Sequence, residues 1–444
     1  MTPRKAGTVW LKKHWNLRHN PFPSTGIARL GGSDPRENGL LYEPDVNADT
    51  LQEAIDKFVL GTAFSGLKFG YLWSTDGGHG GHGGSDARGF GKSVLMQHLT
   101  GILNTDFGCT AYAASGLDEE DAAEAPICGL LTSFDTAQIR SLNAALFSAV
   151  EYATDFRVNG DDLSLAQRLR AALVERVGSD DVATLVKVVA DVHRSLRGRT
   201  LGPPDGKLIE ALCSEDAWQA ADYLDQVKPA SRTRNGAVYL ASFLLFASAA
   251  GMRHVLLCCD QLEDLASKTT ARSKRDLEIE RFRDIILETL PMADMLSVVV
   301  TMHPRAALTI GTAWDLADLP TFEITETNKH RTVVLPGLRS VEAATKLVET
   351  YLGAAVKHGA DREPGDLAPF TKEAVAALFS RSSRKPRDVL RKANGLVEAA
   401  SADNLDVIDE AAVDRYLDAL GPDFEDGSVP GTAGGAASLD WSQG

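Results

Sequence analysis

The chain has 444 residues and a formal net charge of −15, with 46 Lys and Arg against 61 Asp and Glu. This length suffices for two or three domains, and the acidic balance excludes a surface that is basic throughout. The sequence has no apolar run of about 18 residues and no signal peptide, which predicts a cytoplasmic protein without a membrane span. Five cysteines, two of them adjacent, indicate reduced core residues rather than a disulfide framework.

The N-terminal segment, residues 1–45, is rich in Pro, Gly and Asn and is predicted to form an arm. Aromatic side chains such as Trp15 and Phe22 would hold it against the rest of the protein. The core is expected to begin with a helix that Asp49 or Thr50 can cap, because apolar residues follow at helical spacing.

A glycine turn followed by a lysine and a hydroxyl is the next feature, and it comprises Arg88, Gly89, Phe90, Gly91, Lys92, Ser93 and Val94. The apolar run 68–73 upstream predicts a strand, and 94–99 downstream predicts the start of a helix. In this order, loop N–H groups and the helix N-terminus cradle a polyphosphate. Lys92 would reach the β- and γ-phosphates, and the Ser93 hydroxyl can ligate Mg²⁺. The sequence therefore predicts a site for ATP and Mg²⁺.

Two features depart from a standard phosphate loop. Asp86 stands where the full pattern has glycine, and an acid beside phosphates is repulsive unless it points away. The run 77–84 lengthens the loop with glycines and two histidines. Glycine repeats do not hold metal ligands in place by themselves, so the run is interpreted as a flexible insertion that folds over the nucleotide.

Residues 139–226 are predicted to be mostly helical, with leucines repeating every four residues. This stretch is longer than one sheet crossover requires, which indicates an inserted helical subdomain.

A buried strand is predicted at 254–260, a short apolar run that ends in Asp260. Asp260 is the expected partner of Ser93 in holding Mg²⁺. Gln261 follows, and glutamine can orient a water but cannot accept its proton at neutral pH. Either Gln261 orients the attacking water and hydrolysis is slow, or Glu263 is the base.

Another apolar strand is predicted at 295–303, and its end carries Thr301 and His303. In a parallel sheet this end would lie beside the phosphate loop. Thr301 or His303 would then sense the γ-phosphate, unless each is only a polar strand end bonded to backbone. Residues 340–420 repeat apolar residues at helical spacing, and 421–444 have the composition of a disordered tail.

These elements together resemble AAA+ ATPases, particularly those of the origin-recognition type. The similarity is carried by the phosphate loop, the strand and helix start at 256–263, the strand end at 301–303 and the segments 330–338 and 385–391. It implies an α/β P-loop NTPase fold: a parallel sheet with helices on both faces, an inserted helical subdomain and a C-terminal helical lid. The core would span 46–338 and the lid 339–420.

The same resemblance implies roles for individual residues. Thr301 falls where the first sensor lies, and Arg331 falls where an arginine finger completes a neighbouring subunit's site. Arg387 takes the place of the second sensor on the lid. The chain would then assemble with further copies of itself and act through protein partners. It would end at the lid, before any winged-helix DNA reader.

Three short segments resemble particular branches of this superfamily. The sequence motif Asp260-Gln261-x-Glu263 is similar to that of STAND-type ATPases. The run 239–246 resembles ATPases of phage-defence systems such as BREX, and Asn20-Pro21-Phe22 resembles the start of secretion and transposition ATPases. The expected function is an ATP-dependent regulator of a DNA-processing complex, with a STAND-type scaffold as the alternative. A kinase is disfavoured by Arg387.

Direct DNA contact would have to come from local basic patches, although the expected role of such charges is to form a solvated face. The three candidates are the N-terminal Arg4, Lys5, Lys12, Lys13 and Arg18, the central Lys268, Arg272, Lys274 and Arg275, and the lid residues Arg381, Arg384, Lys385, Arg387, Arg391 and Lys392.

Overall fold

The computed structural model describes residues 3–25, 34, 36, 41–64, 67–74, 89–108, 125–134, 139, 141–155, 163–195, 203–216, 218–262, 264, 272–284, 295–301, 304–320, 329–356, 363 and 365–420. Several sequence predictions concern residues outside these ranges, namely Asp86, Arg88, Glu263, His303, the loop 77–84 and the tail 421–444.

The centre of the fold is a five-stranded sheet in which every neighbouring pair is parallel. Its strands are β1 (Phe69–Ser74), β2 (Ile127–Ser133), β3 (His254–Asp260), β4 (Leu296–Thr301) and β5 (Thr332–Leu335). The strand order is β2-β3-β4-β1-β5. Nearly every strand residue is buried, as expected for a parallel sheet that is covered on both faces. Strand β4 lies between β1, which precedes the phosphate loop, and β3, which ends in Asp260.

Helices account for most of the remaining described residues. They are α1 (Pro3–His14), α2 (Ala48–Ala54), α3 (Gly61–Phe64), α4 (Lys92–Asp106), α5 (Leu142–Asp155), α6 (Leu165–Val177), α7 (Val182–Ser195), α8 (Gly206–Cys213), α9 (Gln219–Asp225), α10 (Pro229–Ala249), α11 (Arg272–Arg283), α12 (Pro304–Leu316), α13 (Val341–Ala354), α14 (Lys372–Ser380), α15 (Pro386–Ala402) and α16 (Glu410–Leu420). A π-helix, Ile55–Leu60, joins α2 to α3. Helices α5 to α9 occupy the stretch for which a helical insertion was predicted.

One face of the sheet packs against α4. At Gly129 of β2 an added Cβ would lie 2.9 Å from Cγ2 of Thr100, so the helix approaches as closely as glycine permits. Asn104 fixes the contact, since its amide accepts from the Gly129 N–H at 2.7 Å and donates to the Gly129 carbonyl at 2.9 Å. The opposite face carries the large apolar cluster that includes Phe69, Phe147 of α5 and helix α10. The expected α/β fold, a parallel sheet flanked by helices, is confirmed.

The chain divides into two compact units. Unit 1 comprises 1–48, 76–91 and 336–444, and unit 2 comprises 49–75 and 92–335. The sheet and helices α3 to α12 belong to unit 2, together with nearly all of α2. Unit 1 contains α1 and α13 to α16, and its core buries Trp15, Leu17 and Phe22 among the C-terminal helices. The apolar residues of the predicted N-terminal arm therefore belong to the core of this helical unit.

The state of the cysteines and the search for membrane-spanning helices both bear on expectations from the sequence. Cys128, Cys213, Cys258 and Cys259 are free, buried thiols, and burial raises the pKa of Cys258 to about 12, so it stays protonated. Among the residues that the structure describes, no helix has the length and apolar character needed to cross a membrane.

Candidate nucleotide site

The parallel sheet ends in a row of polar side chains. Ser133 of β2 pairs with Asp260 of β3, Thr301 is the next residue of β4, and Ser74 ends β1 two residues after the partner of Thr301. Because side chains alternate along a strand, these four share the face of Gly129, which is the α4 face. All four are buried. The carboxyl edge of the sheet, where parallel sheets bind ligands, is therefore lined by three hydroxyls and one carboxylate.

Asp260 and Thr301 are joined by a short hydrogen bond. The Thr301 hydroxyl donates to Oδ1 of Asp260 at 2.5 Å. Both residues are shielded from solvent, since Thr301 is 0% exposed and Asp260 is 2% exposed. A buried carboxylate is costly unless it accepts hydrogen bonds. Thr301 therefore provides the buried carboxyl group of Asp260 with a hydrogen bond and fixes its orientation.

The backbone turns sharply directly after Asp260. Gln261 has a φ of 55°, in the left-handed region that only glycine adopts without cost. Two bonds to β4 hold this turn: the Gln261 N–H donates to the Thr301 hydroxyl at 2.9 Å, and the Leu262 N–H donates to the Thr301 carbonyl at 3.0 Å. Strained backbone of this kind is typical of functional sites.

These bonds bear on the expected sensor role of Thr301. A hydroxyl has one proton to donate, and that of Thr301 goes to Asp260, while its oxygen accepts from Gln261. Thr301 therefore cannot donate to a γ-phosphate without releasing Asp260. In this structure Thr301 orients Asp260 and Gln261, and the sensor role stays a prediction.

Helix α4 begins at Lys92, the lysine of the phosphate loop, and Ser93 and Val94 continue its first turn. Lys92 Nζ lies 3.2 Å from Oγ of Ser74, at the end of β1. The N-terminus of a 15-residue helix presents backbone N–H groups and a partial positive charge. Unit 2 thus combines a helix N-terminus and a lysine with the buried Asp260–Thr301 pair.

The preceding loop residues belong to unit 1. Gly89 and Gly91 have φ values of 86° and 94°, which explains the glycines, because other residues adopt this conformation at a cost. A Cβ on Gly89 would lie 2.7 Å from Cβ of Arg387, and the Gly89 carbonyl accepts from the Arg387 N–H at 3.2 Å. The predicted second sensor therefore lies directly beside the first glycine of the loop.

The side chain of Phe90, a residue of the predicted phosphate loop, has a structural role within unit 1. It is buried, and a Cβ on Gly337 would lie 3.1 Å from its ring, so Gly337 makes room for it. Lys385 lies over the same ring at 5.6 Å, a cation–π arrangement. Sequence reasoning missed Gly337, although a glycine two residues before the predicted lid was a signal for such a close approach.

Arg331 does not belong to the polar row. It ends the 3₁₀ turn Lys329–Arg331 and precedes β5, so it lies at the opposite edge of the sheet from the row. Four residues of strand separate it from that edge, which is about 13 Å at 3.3 Å per residue. Its partly exposed side chain lies 3.3 Å from the His330 ring. The alternative partners Glu323 and Glu326 lie outside the described residues.

The residues predicted to hold Mg²⁺ suit that ion. Mg²⁺ prefers oxygen ligands and keeps several waters, so one hydroxyl and one carboxylate are a common protein contribution beside phosphates. Ser93 and Asp260 supply these two groups. Within the described ranges no cluster of three or more His, Cys, Asp or Glu could hold a metal by itself.

The basic patch expected on the lid is largely engaged within unit 1. Arg381 forms ion pairs with Asp414 at 3.4 Å and with Asp418 at 2.5 Å. Lys392 donates to the Arg381 carbonyl at 2.5 Å, and Lys385 covers Phe90. These contacts leave less positive charge for a nucleic acid than the sequence suggested.

Comparisons with known proteins add little to this description. No protein-family model matches the chain, and no curated protein matches it. Among solved structures, the ORC2 protein of Aeropyrum pernix in ADPNP–ADP complexes is similar, with a TM-score of 0.40 and 10% identity over 86% of this chain and 71% of that chain. Similarity of this extent carries no argument about function, which therefore has to be inferred from the geometry of this chain.

Proposed function

We propose that the chain binds ATP with Mg²⁺ and hydrolyses it slowly, as an ATPase of the AAA+ type. The observation that carries the proposal is the polar row of unit 2, in which Thr301 bonds to the buried Asp260 and Lys92 bonds to Ser74. Apolar sheets do not need a carboxylate and a lysine at one edge for stability, and a nucleotide with its metal accounts for both.

Each residue has a defined task in this proposal. Lys92 neutralises the β- and γ-phosphates, and the N–H groups at the start of α4 contact phosphate oxygens. Ser93 and Asp260 hold Mg²⁺, Asp260 through a carboxylate that Thr301 keeps oriented. When bound, Mg²⁺ neutralises charge that develops on the transferred phosphoryl group.

Slow hydrolysis follows from the residue after Asp260. Gln261 is held in the left-handed conformation by Thr301, which suits it for orienting a water molecule. Its amide cannot accept the proton of that water, so turnover would lack a strong base unless Glu263 supplies one. With slow hydrolysis, the ATPase would set how long the ATP-bound state lasts rather than drive repeated mechanical cycles.

We further propose that the site is completed by a second copy of the chain. Arg331 lies too far from the carboxyl edge of its own sheet to act there, yet its charge is permanent and its planar group binds phosphate oxygens in pairs. Presented to a neighbouring copy, Arg331 would couple ATP binding to oligomer formation.

The proposed biological role is regulation of a DNA-processing complex, in defence against foreign DNA. It depends on the sequence resemblance of the run 239–246 alone. This run lies within α10, and all eight of its residues are buried, so packing already accounts for their apolar character.

The second candidate is a nucleotide-gated scaffold of the STAND type, which Gln261 specifically favours. If the Thr301–Asp260–Gln261 arrangement persists with ATP bound, turnover is incidental and the ATP-bound oligomer is the active form.

Light scattering with ATP and Mg²⁺, with and without duplex DNA, distinguishes these functions. A regulator should assemble with ATP, disassemble as ATP is consumed and change its turnover when DNA is added. A scaffold should stay assembled, and its size and turnover should not change when DNA is added. Lys92→Ala should keep the size of the nucleotide-free protein throughout. A parent protein that binds ATP without any change in size would exclude both.

A further inference from the structure

Gln97 of α4 has no role in the proposed function so far, although it lies one helical turn beyond Ser93. Its side chain is buried, with an exposure of 5%. Within the part of the chain that the structure describes, neither Nε2 nor Oε1 of this amide has a hydrogen-bond partner. A buried amide without partners destabilises a protein, and each one in a native structure calls for an explanation.

The packing of α4 on β2 determines which way Gln97 faces. Asn104 follows Gln97 by seven residues, close to two full turns, so the two side chains leave the same face of the helix. Asn104 bonds to both the N–H and the carbonyl of Gly129 in the middle of β2. Gln97 therefore faces β2 as well.

The position of Gln97 along β2 follows from the direction of α4. The helix begins at the carboxyl edge of the sheet, where Lys92 Nζ lies 3.2 Å from Oγ of Ser74. Two turns are about 10 Å, or about three residues of a strand, so Gln97 lies beside the last residues of β2. Helical side chains also lean toward the helix N-terminus, which directs the amide of Gln97 toward the carboxyl edge.

At that edge the amide is directed at the predicted ligands of Mg²⁺. Ser93 precedes Gln97 by four residues and shares its face of α4. Ser133 ends β2 and pairs with Asp260 of β3, and both side chains face α4. All four residues belong to unit 2. An unpaired, buried amide is therefore aimed at the corner formed by the start of α4 and the ends of β2 and β3.

We propose that Gln97 is a positioning residue for the Mg²⁺ of the ATP site and acts through a water molecule bound to the metal. Mg²⁺ usually keeps several waters when the protein supplies only one or two ligands. Such waters donate hydrogen bonds, and Oε1 of Gln97 can accept one of them. This inference rests on the proposed function, because it requires Ser93 and Asp260 to hold the metal.

Gln97→Met tests the proposal, since methionine keeps the length of the side chain and removes both polar atoms. The melting temperature of the nucleotide-free protein should rise by about 2–4 °C, because an unpaired buried amide disappears. In calorimetric titrations with Mg²⁺, ATP affinity should fall about tenfold, the usual effect of losing an outer partner of a metal site. With EDTA in place of Mg²⁺, ATP affinity should equal that of the parent.

Gln97→Glu distinguishes an acceptor from a donor. It keeps an oxygen that can accept from a metal-bound water, so ATP affinity with Mg²⁺ should stay within about threefold of the parent. The melting temperature of the nucleotide-free variant should fall, because a carboxyl group is more costly to bury than an amide. A glutamine that instead donated to a phosphate would make this variant bind ATP poorly.

Thr132→Val is the matched control. The Thr132 hydroxyl is also buried and has no partner among the described residues. Because side chains alternate along β2, Thr132 lies on the face of the sheet opposite Ser133. This variant should likewise raise the melting temperature, while ATP affinity should not change with Mg²⁺ or with EDTA.

Several results would overturn the proposal. These are an unchanged ATP affinity of Gln97→Met with Mg²⁺, an equal loss with Mg²⁺ and with EDTA, a lower melting temperature of that variant without nucleotide, and a loss of affinity in Gln97→Glu as large as in Gln97→Met. A parent protein that binds no ATP would instead refute the proposed function, so the two failures are distinguishable.

Discussion

Replacing Thr301 by valine removes one hydroxyl and keeps the branched shape of the side chain. Two hydrogen bonds disappear with it: the bond to Oδ1 of Asp260 at 2.5 Å and the bond from the Gln261 N–H at 2.9 Å. A bond to a charged acceptor contributes about 1.5–3 kcal/mol, and leaving a buried donor unpaired costs about 1–3 kcal/mol. We expect unit 2 to lose about 2.5–6 kcal/mol of unfolding free energy.

Hydrogen exchange followed by mass spectrometry measures the local part of this effect. The amides of Gln261 and Leu262 both donate to Thr301. A loss of about 1–2 kcal/mol in local stability makes exchange at Gln261 faster by about 5–30-fold. Mg²⁺-dependent ATP affinity should fall as well, because Asp260 loses its orientation. Thr301→Ser, which keeps the hydroxyl, should restore both properties.

Ser297→Ala is the matched control on the same strand. Its buried hydroxyl donates to the Leu67 carbonyl near the other end of β4, away from Asp260. It should lower stability without faster exchange at Gln261 and without a change in ATP affinity. Unchanged exchange and unchanged ATP affinity in Thr301→Val would refute the assignment of Thr301 as the residue that orients Asp260 and Gln261.

Turnover assays of Gln261→Ala and Glu263→Gln show which residue serves hydrolysis. If Glu263 is the base, Glu263→Gln should lower turnover about 10²–10⁴-fold at unchanged ATP binding, whereas if Gln261 orients the water, Gln261→Ala should be the slow variant. Parent-like turnover in both variants would exclude a catalytic role for either residue. Arg331→Ala should bind ATP normally yet fail to assemble, and mixing it with Lys92→Ala should restore part of the activity; normal assembly and turnover would place the finger elsewhere. In thermal unfolding, Gly236→Ala should be destabilised by about 1–3 kcal/mol or more, because its Cβ would lie 1.7 Å from the Asn143 carbonyl oxygen. Gly311→Ala is the control, because an added Cβ there would have no atom within 4 Å, and its unfolding free energy should rise by up to about 1 kcal/mol. Equal changes in the melting temperature of the two variants would contradict the packing of α10 on α5.

The strands of the sheet were largely predictable because each is a short apolar run bounded by polar residues. The run that ends in Asp260 was predicted with its observed limits, 254–260. The strand order was not predictable, since the sequence does not indicate which strands pair when long helical segments separate them. The position of β4 between β1 and β3 is what brings Thr301 against Asp260.

Side-chain partners were the least predictable part of the site. Thr301 was expected to act on a phosphate, and its bond to Asp260 depends on a register that the sequence does not specify. Charges on the lid were expected to face solvent, yet Lys385 and Lys392 are buried. Lys385 lies over the Phe90 ring and Lys392 donates to the Arg381 carbonyl. Neither partner is three or four residues away, so helical spacing does not predict these contacts. Partners of this kind are determined by tertiary packing.

The N-terminal segment illustrates the same limit. Its composition predicted an arm held by aromatic side chains. The structure buries Phe22, which is one of them, and also bonds Asn20 to α15, a contact that the sequence did not indicate. Amino-acid composition describes a whole segment, whereas a few aromatic residues and one amide side chain determine whether that segment packs against the protein. The resemblance to the start of other ATPases identified the residues without indicating what they contact.

The central claim is that Lys92 and the polar row bind ATP, and calorimetric titration of Lys92→Ala with ATP and Mg²⁺ tests it most directly. Lys187→Ala, which removes an exposed lysine of α7, serves as the control for the loss of one charge. We expect the parent and Lys187→Ala to bind ATP equally, and Lys92→Ala to show no measurable binding at an unchanged melting temperature. Equal ATP affinity in all three proteins would contradict the account.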